Sequence, residues 1–292
     1  MRDGSIATLA DRGVVFIGGE DAQKLLDDLV TNSMAIVAEN GAGFGALLSP
    51  QGKILVDFIV HRAEDGFLFD LAADRAAEFV KRMTLYRLRA KVSIEDRSER
   101  LKVLAAWSGA EPSAPFAADP RAAALGWRAV VPKEEELSPA GYDEATAEAY
   151  HAHRIALSVP EGGRDFAFGD AFPHDADMDC LAGVDFRKGC YVGQEIVSRM
   201  EHRGTARRRA VSIAADAPLP AAGAPVTADG KPVGAMGSSA GGKGIALLRL
   251  DRVKEALDRG SPILAGDVPV AVALPAFARF GWPDDAAEEG AA

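Results

Sequence analysis

Cys190 lies in the run Val-Asp-Phe-Arg-Lys-Gly-Cys-Tyr-Val-Gly-Gln-Glu, residues 184–195, with Arg187 and Lys188 just before it and Gly189 and Gly193 on either side. Positive charge beside a thiol favours the thiolate, so the setting suits a reactive sulfur if the side chain reaches solvent. The structural alternative is a small packed residue at a backbone turn. Gly189 and Gly193 allow close backbone approach. If Gln194 opens a helix, the N–H groups of Gly193 and Gln194 form an anion site; the alternative is an ordinary loop entering a helix. Glu195 and Arg199, four residues apart, fall side by side on that helix, either as a surface pair or with Glu195 orienting Lys188 or Arg199 or accepting from a flat heterocycle. Tyr191 suits stacking on such a ring and equally suits the core.

Further on, Arg199, Arg203, Arg207, Arg208 and Arg209 meet one acid, Glu201. This block reads as a site for a carboxylate- or phosphate-rich partner such as a polycarboxylate tail or RNA, or as a solvated edge whose charges discourage strand pairing. His174, Asp175, Asp177, Asp179 and Cys180 lack two-histidine or paired-cysteine ligand spacing and read as turns, so no metal is expected.

These residues must be positioned by a chain of 292 residues, long enough for two or three compact units. A net charge of −10 argues against a surface given over to nucleic acid or anionic membrane and makes any anion site local. Two cysteines make no disulfide scaffold, and with no apolar leader at residues 1–13 they point to a reducing cytoplasm. Apolar runs are strand-sized, too short to span a membrane. The first third reads as a strand at 13–17, a helix over 20–32 with Ala22, Leu25, Leu26, Leu29 and Val30 on one face, and a strand pair around the turn at 49–52. A second helix over 75–88 is expected to be capped by Asp74, and strands follow near 91–96, 101–107 and 125–132. A helix over 142–157 precedes a Gly, Pro and Asp-rich connection, 160–185, that ends at the motif. Beyond Gly204, short apolar runs between Gly and Pro suggest a small β-barrel, and the acidic tail 283–292 lacks the apolar residues needed to pack.

The octapeptide Lys188–Glu195, with Arg199 after it, resembles the signature of the YgfZ-type folate-binding proteins. These are relatives of the glycine-cleavage aminomethyltransferase and include mitochondrial iron–sulfur assembly factors. The blocks at 16–32, 46–60, 153–162 and 172–186 are similar as well. The resemblance implies an α+β fold: two ferredoxin-like α/β subdomains plus a C-terminal β-barrel, arranged as a ring around a central folate site. Residues 1–204 would form the aminomethyltransferase-like region, its two parts dividing near 98–125, and 205–282 the barrel. It implies tetrahydrofolate or another reduced folate as cofactor, held by Lys188, Gly189, Tyr191, Gly193, Gln194, Glu195 and Arg199, with Cys190 as the functional thiol. Iron–sulfur clients or assembly proteins, tRNA-modifying enzymes among the clients, would be the partners. One departure separates the chain from the transferases: where they resemble Arg-x-Glu-x-Gly, Arg154 and Ile155 are followed by Ala156. An aminomethyltransferase is therefore the alternative reading, and an RNA-binding module, disfavoured by the overall acidity, the third.

Overall fold

The computed structural model describes residues 4–204 and 206–283; the expected tail falls outside them except for Pro283. The chain runs through β1 (Gly4–Thr8), β2 (Arg12–Gly18), α1 (Ala22–Asp27), α2 (Met34–Asn40), β3 (Ala42–Leu48), β4 (Ile54–Ala63), β5 (Gly66–Ala72), α3 (Ala76–Arg87) and β6 (Ser93–Asp96). Strands β3-β4-β5-β2-β6 form an antiparallel sheet in that order. Alternation along β4 sends Val56, Phe58 and Val60 towards the helices, where they pack with Leu26, Phe79 and Met83. Ile54 and Ile59 face the long connection and meet Met178, Leu181 and Tyr191. Both faces of this sheet are therefore covered, which is why β4 is nearly continuous in apolar residues.

The expected helix over 20–32 keeps its buried stripe but ends at Asp27, and Val30 instead bridges to Leu47. The cause lies far away in sequence: Thr31 Oγ1 donates to the Gly183 carbonyl at 2.6 Å, and Lys188 Nζ takes the Val30 and Asn32 carbonyls at 2.7 and 3.0 Å. A continuing helix would occupy those carbonyls. Helix α2 was not expected. Asp74 does not cap α3; Arg75 holds the N-cap position without a side-chain bond, and a short 3₁₀ turn precedes it.

The chain continues through β7 (Leu101–Trp107), β8 (Ala117–Ala118), β9 (Trp127–Pro132), β10 (Tyr142–Glu144) and α4 (Ala147–Ala156). The second sheet has the order β10-β1-β7-β9-β8, so the first strand of the chain sits inside it, parallel to β10 and antiparallel to β7. The expected helix over 142–157 thus splits: residues 142–144 pair with β1, and Thr146 caps α4 by accepting from the Ala149 N–H.

After the connection come α5 (Gln194–Arg203), β11 (Arg208–Ala214), β12 (Pro225–Ala228), β13 (Lys231–Ala240), β14 (Lys243–Arg249), α6 (Leu250–Asp258), β15 (Ile263–Ala265), β16 (Val268–Pro269) and β17 (Ala271–Ala273). The strands make an antiparallel, nearly closed barrel in the order β16-β15-β12-β13-β14-β11-β17, with Val253 and Ala256 of α6 in its core. The fold is α+β: ferredoxin-like sheets and a C-terminal β-barrel.

Candidate functional site

The motif loop is held by buried anchors and shows Cys190 outward. Val184 and Tyr191 are buried, and Lys188 reaches back to the Val30 and Asn32 carbonyls in the segment after α1. Phe186, Arg187, Gly189 and Cys190 are exposed. Burial lowers the Lys188 pKa from its ordinary value, against the pull of Asp27, Asp185 and Asp28, because the ammonium is largely withdrawn from water. Tyr191 fills the core, with Lys188 Nζ 5.3 Å from its ring centroid. Burial, with Asp185 nearby, pushes its phenol well up.

Gly193 precedes α5 at φ 83°, and a Cβ there would lie 2.6 Å from the Ser49 carbonyl oxygen and 3.0 Å from the Gly52 Cα. The motif's turn is thus packed against the turn between β3 and β4, at a distance only glycine permits. Gly193→Ala is expected to cost about 1–2 kcal/mol from the left-handed backbone alone, and the clash adds to it. Gly189→Ala, with nothing within 4 Å of its Cβ, is expected to leave Tm unchanged. Thermal melts of the two variants check this contrast. The anion site expected at Gly193 and Gln194 is altered: the Gln194 N–H is spent on the Tyr191 carbonyl at 3.2 Å. Glu195 and Arg199 are both exposed, and no ion pair among the described residues joins Glu195 to Arg199 or Lys188. Of the eight motif residues singled out from sequence, the structure brings Lys188, Tyr191 and Gly193 together as the frame. Gly189, Cys190, Glu195 and Arg199 are left at the surface.

Beside this loop lies a cavity of about 540 Å³ lined by Asn32, Phe186, Arg187, Glu201, Arg279 and Phe280, among others. Asp179 also lines it; buried His174 Nε2 lies 3.0 Å from Glu201 Oε2, and a ligand atom of Asp179 is within 4.8 Å of both. Arg209 grips Asp179 with two bonds, 2.6 and 3.0 Å, and Arg208 pairs with Asp170 and Asp175. Two members of the arginine block therefore tie the barrel to the connection and face inward; Arg203 and Arg207 are exposed. Cys180 is buried there, its thiol pushed up to about 11 by burial and by Asp179.

A second cluster was missed from sequence. Arg12 Nε and Arg128 Nη1 each reach Asp70 at 2.5 Å; Arg128 and Arg121 share Asp119 and the Tyr150 hydroxyl. Arg154 bonds Asp165 at 2.6 Å and Ser238 of β13 at 2.8 Å. These groups join all three sheets. Burial opposes ionisation of Asp119, yet Arg121 and Arg128 outweigh it and hold the carboxyl at about 2; burial of Glu161 is likewise overcome by Arg154 and Arg12, to about 2. Asp57 differs, its pKa raised by burial and by nearby Glu161 against the opposing influence of Arg12, the Gly162 N–H and Arg121. Asp57 Oδ1 and Glu161 Oε2 are buried without a hydrogen-bond partner.

Burial lowers His61 to about 4, so it is neutral in the fold. The unfolded chain, near its ordinary 6.5, binds the proton first as pH falls. His61 thus removes stability between about pH 6.5 and 4, by up to about 3 kcal/mol. Asp57, raised, works in the opposite direction below neutrality. The pH dependence of urea unfolding in His61→Gln against wild type isolates the histidine: a flatter curve in that window is expected.

Comparison with known proteins agrees with this architecture. The fold is that of an aminomethyltransferase: the chain superposes on glycine cleavage system aminomethyltransferase T from Bartonella henselae with a TM-score of 0.71 at 15% identity, covering 94% of this chain and 86% of that one. The family described as CAF17, C-terminal beta-barrel domain, matches residues 207–280. The human protein named iron–sulfur cluster assembly factor IBA57, mitochondrial, is 31% identical over 242 residues, 73% of this chain and 67% of the relative. The Mycosarcoma maydis homologue of that name is 33% identical over 238 residues, 74% of this chain. The present chain belongs to the iron–sulfur cluster assembly factor IBA57 family. It spans 59% of the Mycosarcoma maydis protein and 52% of the Neurospora crassa one. No helix among the described residues is long and apolar enough to cross a membrane.

Proposed function

We propose that this protein, a YgfZ-type factor, acts in the assembly, maturation or repair of iron–sulfur proteins, tRNA-modifying enzymes among them, by presenting the Cys190 thiol to a client or assembly partner. The observation that carries the reading is the contrast within one loop: Lys188, Tyr191 and Gly193 fix the backbone, while Cys190 stands exposed. A soft thiolate on a rigid support suits transient contact with iron or a cluster sulfur. The names of its relatives support the process. Those names place the relatives in mitochondria; two free cysteines fit any reducing compartment, and we assign this chain to the cytoplasm.

We further propose that a reduced folate binds where the three sheets meet. Two buried acceptor oxygens without donors, on Asp57 and Glu161, fit the amine-bearing edge of a pterin, which would satisfy atoms otherwise costly to bury. They stand in for the carboxylate that Ala156 does not supply. Residues 1–204 would form this folate region and 205–282 the barrel that closes it. Aminomethyl transfer is the second reading, favoured by the fold; an RNA-binding role is weakened because Arg208 and Arg209 are spent on acids of the same chain.

In a strain lacking the protein, wild type is expected to restore iron–sulfur enzyme activities and leave glycine-dependent aminomethyl transfer unchanged; the reverse result selects the transferase. Calorimetry with tetrahydrofolate should give heat that Asp57→Asn diminishes. No heat at millimolar ligand removes the folate claim alone.

A further inference from the structure

Helix α3 ends in a feature that packing does not explain. Leu85 and Leu88 are 67% and 86% exposed, one turn apart. Leu88 caps the helix at φ 46° and ψ −109°, outside the left-handed basin that even asparagine prefers. Its turn is pinned on both sides: Met83 is in the core, and beyond it the Lys91 N–H bonds Asp21 Oδ2 at 2.8 Å while Val92 is buried. A bulky side chain is thereby held in strained backbone and pointed into solvent, although glycine would occupy the same turn without strain. From Lys81 to Lys91 the sequence has five cations and no acid, on a chain of net charge −10. Arg82 and Lys91 pair with Glu78 and Glu20. Lys81 and Arg89 are exposed and enter no ion pair among the described residues. Cations at a helix C-terminus favour its dipole, which accounts for charge in the last turn but not for two exposed leucines beside it.

We propose that the tip of α3 is a docking surface for a partner protein, with Leu85 and Leu88 entering an apolar depression and Lys81 and Arg89 meeting carboxylates at its rim. Protein is favoured over a lipid surface because two leucines bury too little for membrane anchoring and the molecule as a whole is strongly anionic. Protein is favoured over nucleic acid because aliphatic side chains offer no face on which bases stack. The surface is separate from Cys190 in sequence and in the elements that hold it, so the proposal does not depend on the thiol's role.

The test places a photo-crosslinking residue at position 88 of the full chain in cells, with position 243, an exposed hairpin lysine, as the control. A discrete protein adduct is expected at 88 and not at 243. Lys81→Glu with Arg89→Glu should reduce it at least about 5-fold, and Cys190→Ser should leave it intact. The partner so identified, once purified, should bind wild type less tightly as salt rises, since exposed charges are screened over about 8–10 Å near physiological ionic strength. Leu88→Gly should raise Tm, by roughly 2 °C or more, while losing the purified partner. Adducts to lipid or nucleic acid alone, no adduct, an adduct indifferent to charge reversal, or full partner binding by Leu88→Gly each overturn the proposal.

Discussion

Iodoacetamide at pH 7 will alkylate Cys190 at least about 100-fold faster than Cys180 in the folded protein. Attack requires thiolate and access together. Cys180 is buried, and burial with Asp179 beside it sets its thiol at about 11, which relative to an ordinary thiol near 8.5 removes thiolate by a factor on the order of 10²–10³. Its sulfur also accepts the Arg279 N–H at 3.4 Å. Cys190 has an exposed side chain between Gly189 and the buried Tyr191. Mass spectrometry of timed, quenched samples reads both rates at once, and urea is expected to bring them together. Equal slow labelling of the folded protein would mean that the loop does not present the thiol.

The second large effect concerns stability. Arg128→Leu is expected to cost about 3–5 kcal/mol, because it leaves buried Asp70 and Asp119 facing apolar surface with fewer donors. Arg128 is 1% exposed; its guanidinium links Asp70 of β5, Asp119 before β9 and Tyr150 of α4. Lysine does not replace it, since one ammonium cannot span three acceptors set by a planar fork. Urea unfolding followed by tryptophan fluorescence measures the loss. A cost below about 1 kcal/mol would show that the network tolerates an uncompensated carboxylate.

The two clusters differ in how legible they were. The motif was readable because its residues are contiguous and their side chains are of unusual type: a cysteine among cations and glycines. Burial within it was not readable, since Tyr191 suits a core or a ring equally until Met178 and Leu181 are seen beside it. Arg12, Asp70 and Arg128 gave no signal, because each is an ordinary charged residue in its own segment; Arg154 stood out only beside Ala156, and the four meet only when three sheets assemble. Periodicity found the apolar face of the first helix, but not its end at Asp27, which is decided by Lys188 and Gly183 more than 150 residues away. Short pieces such as β10 are similar: Tyr142–Glu144 becomes a strand because β1 offers an edge, against a local alanine-rich preference for helix just beyond.

The central claim is that an exposed thiol on a rigid loop serves iron–sulfur protein maturation. It is tested most directly by expressing wild type and Cys190→Ser at equal levels in a strain lacking the protein and measuring iron–sulfur enzyme activities in extracts. The variant removes one exposed sulfur and is expected to keep the wild-type Tm, so a change in activity reports the thiol and not the fold. The account predicts that wild type restores the activities and Cys190→Ser restores less than about a fifth as much; equal restoration by the two proteins would contradict it.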